Sequence, residues 1–143
     1  MLILTPSKVK FAGTAGIKFE ALEEHSSVLS LKNRFWVQNH IKGVHACGMA
    51  LLAETATGSV IGMNVPDSCI PLLKSMTVEY LKVAKGDLKG VATLDEEQRR
   101  LIRESEKGEL VVPVKITDSE GKEPIRATML WAWIPRTRKA KAE

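Results

Sequence analysis

Glu54 is the residue to explain first. It is the only charged side chain between His45 and Met63, a run in which Ala46, Gly48, Ala50, Ala53, Ala56 and Gly58 alternate with Met49, Leu51, Leu52, Val60 and Ile61. A carboxylate in such surroundings must be paired, hydrogen-bonded or functional. At a wet subunit interface it could simply accept hydrogen bonds; in a cleft it could act as a base or nucleophile, because structural and catalytic environments both perturb carboxylates. The second chemical feature is the start of the same run. If it is a helix, the NH groups of Ala46, Cys47 and Gly48 are first-turn donors without intrahelical acceptors. They would present the positive dipole end to a developing negative oxygen.

Geometry connects the two features. Ala46 and Glu54 are eight positions apart, about 12 Å along a helix at ~1.5 Å per residue, so one small carbonyl cannot touch both within a chain. If they cooperate, a second chain must bring its own helix terminus beside Glu54 through a two-fold axis, which predicts a homodimer.

The elements that must hold these groups follow from periodicity. His45 to Met63 reads as a buried central helix, small on every side and ended by Asn64 and Pro66. Before it, Ile17 to Leu22 and Val28 to Leu31 form a hairpin across Glu23 to Ser27, and Phe35 to Val44 a loop. After it, Leu73 to Val83, Leu88 to Thr93, Glu109 to Thr117 and Ile125 to Ile134 read as strands, with 118–122 a plain hairpin loop and Asp95 to Lys107 an exposed helix. Trp131 and Trp133 share one face of the last strand and are assigned to core or interface packing. This order predicts one α+β domain over residues 1–143, an antiparallel sheet wrapped round one long central helix, with a leader at 1–16 and a basic tail at 136–143.

Composition excludes several classes. The net charge is +4, but residues 136–143 hold four basic side chains against one acidic, so the body is nearly neutral and nucleic acid is not an expected partner. Ala46 to Val65 carries Glu54 at its middle, which argues against a membrane span. Two cysteines without paired spacing, and an opening without a secretory pattern, point to a reducing cytoplasmic setting. His25, His40, His45 and Glu54 have no zinc-like spacing, so no metal is expected.

The run from Asn39 through Gly43, His45, Ala46, Cys47 and Gly48, then Glu54 nine positions after His45, then Ser75-Met76-Thr77-Val78-Glu79-Tyr80-Leu81-Lys82-Val83-Ala84-Lys85-Gly86, resembles the PaaI-like hotdog thioesterases over roughly Asn39 to Gly90. The resemblance implies a hotdog fold acting as a homodimer or dimer of dimers (homotetramer), an acyl-CoA or acyl-carrier-protein thioester as substrate, and no cofactor beyond the coenzyme A moiety of that substrate. It implies Glu54 as nucleophile or general base, Asn39 positioning the water or thioester, the Ala46 NH polarising the carbonyl, and His45 supporting the loop. Gly43, Cys47, Thr57, Gly58, Ser75, Met76 and Thr77 would contact substrate, and Lys82 and Lys85 would meet coenzyme A phosphates, though as bare residues those lysines are solvated charges. Phe35, Trp36 and Leu73 to Val78 would set acyl preference. Ala46-Cys47 departs from the family's glycines: a backbone NH survives, but the closer approach glycine allows is lost. That departure favours a rival, a non-catalytic acyl-binding module. A hotdog dehydratase is a second rival, disfavoured because His45 is not opposite Glu54 within one chain.

Overall fold

The long helix α2 spans Ala46–Gly62 and is the element on which the rest is built. Its hydroxyls explain how a sequence containing Thr55, Thr57 and Ser59 can be buried. Thr55 donates to the Leu51 carbonyl, Thr57 to Ala53 and Ser59 to Thr55, so each polar group is satisfied inside the helix. Ser27 donates to the Ala56 carbonyl from outside, and Asn64 closes the end by donating to Val60 and to Glu24.

A computed structural model describes residues 8–136. Residues 1–7 of the expected leader and 137–143 of the expected basic tail lie outside the described residues. The described part of the leader forms a short helix, α1 (Lys10–Ala15), seated through Ala12 and Ala15 and stopped by Gly16 at a φ of 86°, where glycine avoids a Cβ penalty.

Strands β1 (Lys18–Leu22), β2 (Ser26–Leu31), β3 (Cys69–Tyr80), β4 (Leu88–Thr93), β5 (Gly108–Val112), β6 (Val114–Thr117) and β7 (Ile125–Pro135) pair antiparallel in the orders β1-β2-β4-β6 and β3-β7-β5. The single strand expected over Glu109 to Thr117 is corrected here. It breaks at Pro113, which has no NH to give a ladder, so β5 pairs with β7 and β6 with β4. That chain segment carries the layer from one sheet to the other, and the two wrap α2 in the hotdog arrangement. β3 also begins earlier and ends sooner than the pattern suggests, with a bulge between Leu73 and Ser75.

Trp131 and Trp133 are buried, as core packing requires. The indole of Trp133 lies so close to Gly108 that a Cβ there would come within 2.5 Å of its ring. Helix α3 (Glu96–Glu104) starts with a capping box from Asp95 and Gln98 and buries only Ile102; Arg99 and Arg103 tie it to Glu24 of the β1–β2 turn.

Candidate active site

α2 is open to its surroundings only along its first half. Cys47, Leu51 and Glu54, at spacings of four and three, share the face that the sheet leaves uncovered. Glu54 is half-buried in a hollow of 710 Å³ walled by Phe11, Cys47, Ala50, Leu51, Leu73, Met76, Val78 and Tyr80, and among the described residues it is the only carboxylate there. Burial lifts its carboxyl above the ordinary glutamate range, against a smaller lowering from the Thr55 hydroxyl. No ion pair among the described residues involves it.

The start of α2 faces a separate hollow of 390 Å³, lined by Asn39, Gly43, Ala46, Met49, Tyr80 and Lys82 among others. Glu54 and Ala46 therefore open into different hollows of one chain, and Tyr80 stands between them. The expectation of three free first-turn donors is corrected. Cys47 NH donates to His45 Nδ1 at 2.9 Å and Gly48 NH to the His45 carbonyl at 2.8 Å, leaving the Ala46 NH as the donor without an acceptor among the described residues. His45 is thus the N-cap, and because Nδ1 accepts, the ring proton sits on Nε2. Tyr80 Oη donates to the Ala46 carbonyl at 2.9 Å, in the same peptide unit as the Cys47 NH. The sequence Tyr80 hydroxyl, Ala46–Cys47 peptide and His45 imidazole is a chain of hydrogen bonds in which each link polarises the next.

Asn39 braces the loop ahead of the helix: its Oδ1 accepts from Ile41 NH and Gly43 NH, and its own NH donates to the Gly43 carbonyl. Its side-chain NH2 is left without an acceptor among the described residues, and the residue lines the Ala46 hollow. Lys42, at a φ of 64°, makes the left-handed step of this turn. Lys82 lines the Ala46 hollow. Lys85 has its backbone engaged instead, donating to Asp118 and accepting from Ser119, so the loop at 118–122, expected to be plain, is anchored to the end of the β3–β4 connection.

Four expected contacts do not converge on Glu54. Thr57 is fully buried, and its hydroxyl accepts from Trp131 Nε1 at 2.8 Å. Gly58 is also buried, so both turn toward the core although they lie one helical turn from Glu54. Ser75 and Thr77 are exposed but absent from the Glu54 hollow, because β3 alternates and sends Met76 and Val78 there instead. Trp36 lies beside a third hollow and Leu73 in the Glu54 hollow, whereas Phe35 belongs to neither. Tyr80 lies within the sequence motif, which implies no role for it; an aromatic at the last position of a strand that ends beside the helix start is the available signal. Among the described residues no three His, Cys, Asp or Glu side chains converge as metal ligands, and no helix is long and apolar enough to cross a membrane.

The chain belongs to a family described as a domain of unknown function, DUF4442, whose model matches residues 3–134. Its hotdog fold is shared with solved structures. One is a protein of unknown function from Pseudomonas aeruginosa, described as a probable thioesterase, at 24% identity and a TM-score of 0.83, covering 94% of this chain and 99% of that one. A thioesterase from the same organism aligns at 18% identity with a TM-score of 0.73 over 88% of this chain and 86% of its own. A thioesterase family protein from Silicibacter pomeroyi gives 14%, 0.74, 92% and 93% for the same quantities. No curated protein matches the chain.

Proposed function

We propose that this protein hydrolyses acyl thioesters of coenzyme A. The observation that carries the reading is Glu54: a single carboxylate, raised by desolvation, in an otherwise apolar hollow on the open face of the central helix. In the proposed reaction the thioester carbonyl oxygen rests on the Ala46 NH of one copy while Glu54 of the other attacks the carbonyl carbon or takes a proton from the water that does. If Glu54 acts as base, the acyl carbon gains the water oxygen as the C–S bond breaks, and the proton Glu54 took from the water passes to the leaving thiolate. If Glu54 attacks, the thiolate leaves as a Glu54–acyl anhydride forms, and water then cleaves that anhydride to the acid. No cofactor takes part. Asn39 orients the water or thioester, and Lys82 meets coenzyme A phosphate.

The dimer in this proposal is supported by β3, a 12-residue strand at the edge of its sheet. Beside its unpaired backbone it shows Leu72, Met76 and Tyr80, each close to half exposed. A second copy adding along this edge would cover them and satisfy the strand.

One observation favours a second reading. A helix start with a single uncommitted NH is a weaker oxyanion site than two donors would make, which suits an acyl-CoA binding module in which Glu54 only accepts hydrogen bonds. Free-thiol release from a panel of acyl-CoAs, with Glu54→Gln in parallel, separates the two. Release that falls at least about a hundredfold in the variant supports hydrolysis, the scale on which a positioned acid or base acts. Tight binding without release sinks it and leaves the binding module.

A further inference from the structure

A third hollow on the open side of α2 is used by neither step of the proposed reaction. It measures 470 Å³ and is walled mainly by Phe11, Ala15, Trp36, Val37 and Leu51. Phe11, Cys47 and Leu51 line both this hollow and the one holding Glu54, so the two adjoin along the open face of α2. Two polar groups on its wall are committed, Thr14 donating to the Lys10 carbonyl and His45 Nδ1 accepting from the Cys47 NH, and the rest of its lining is largely apolar. Two large aromatics stand at its rim, Phe11 66% exposed and Trp36 62% exposed. The Arg34 guanidinium lies over Trp36 at 5.5 Å from the ring centre.

We infer that this hollow receives the distal part of the acyl chain and makes the protein selective for medium and long chains over short ones. The inference rests on the reading that the thioester carbon lies at Glu54. From Glu54 to Cys47 the open face follows seven residues of helix, about 10.5 Å at ~1.5 Å per residue. Acetyl and propionyl groups end before the hollow begins, whereas a decanoyl group reaches into it. Each methylene that leaves water there raises affinity about fourfold, until the hollow is filled. Adjacency to the carboxylate's hollow and a wall that among the described residues holds no Lys, Arg, Asp or Glu select an alkyl chain as the occupant.

The test compares acetyl-, hexanoyl-, decanoyl- and hexadecanoyl-CoA in the wild type, in Thr14→Trp, which places bulk at the rim from an exposed position, and in Trp36→Ala, which removes the wall. Circular dichroism checks that each variant is folded; Trp36 is exposed enough for its variant to serve if the other fails. In the wild type kcat/KM is expected to rise with chain length, and the decanoyl-to-acetyl ratio to fall tenfold or more in Thr14→Trp or Trp36→Ala. A ratio unchanged in the folded variants overturns the inference. Calorimetric binding of decanoyl- and acetyl-CoA keeps it separate from the hydrolysis reading. If no thiol is released, a decanoyl preference that the variants lose still supports the hollow, and equal binding of both thioesters overturns it.

Discussion

Replacing Thr57 by valine keeps the side-chain volume and removes one oxygen. That oxygen receives the indole NH of Trp131 at 2.8 Å, and the structure leaves both residues with essentially no exposure. The hydroxyl's own donation goes to the Ala53 carbonyl, an acceptor already inside the helix ladder, so its loss matters little. An indole NH stranded in a dry core is different: leaving one buried donor unsatisfied costs about 1–3 kcal/mol. At this chain length each kcal/mol is worth about 4 °C in melting temperature, so Thr57→Val should melt roughly 4–12 °C below wild type. Calorimetry on Thr57→Val, Trp131→Phe and the double variant isolates the bond, since the space left by phenylalanine cancels in the cycle. A coupling below about 0.5 kcal/mol would refute the reasoning, being no more than independent sites show. Thiol-release kinetics add a second discrimination. A core Thr57 leaves KM for the thioester unchanged, whereas a shifted KM at unchanged melting temperature would return Thr57 to the substrate wall.

Glu54→Gln should be more stable than wild type near neutral pH, by chemical denaturation. Because burial raises its folded-state pKa, the native protein favours the protonated acid. Its stability is therefore fullest below the unfolded value and declines as pH rises through the folded one, a decline the glutamine variant lacks. The same shift places the acid limb of any Glu54-dependent rate above the ordinary value of 4.5; a limb at or below it removes Glu54 as the titrating group. His45→Ala should lose about 1 kcal/mol with the cap, and His45→Asn should recover most of it; equal losses in the two variants would mean the Cys47 NH is indifferent to its acceptor. Burial alone would raise the Asp118 carboxyl, but the NH groups of Lys122, Lys85 and Glu120 and the Lys122 charge outweigh it and hold it below the usual range. The stability it contributes is present above the unfolded pKa and is lost as pH falls through the folded one. Asp118→Asn should flatten acid unfolding, and an unchanged acid midpoint would count against the network.

The central helix was legible because its small and apolar residues run without a polar stripe, and β7 because Met129, Trp131 and Trp133 alternate cleanly with their neighbours. That same lack of a stripe is why Thr57 and Gly58 were misplaced. Their spacing of one helical turn from Glu54 predicts that they share its opening, but the sheet closes over α2 beyond that point, and nothing local marks where. Pro113 was visible in the run from Glu109, yet the apolar pattern on both sides of it masked the transfer between sheets. The sequence predicts free donors at the helix start because histidine is not among the common N-caps; only the side-chain geometry of His45 reveals the acceptor. Tyr80 is a contact made across 34 residues, out of reach of any short motif.

The pairing of β3 has a consequence for the chain while it is being made. Its only strand neighbour among the described residues, β7, begins at Ile125, after the β4 strand, α3 and the Pro113 crossing have all been synthesised. At about 5–20 residues per second, the longest strand of the protein waits on the order of seconds with both edges unpaired. Through that interval the nascent chain is most open to sticky encounters, and the helix completed just before β3 is the nearest surface on which it can shelter.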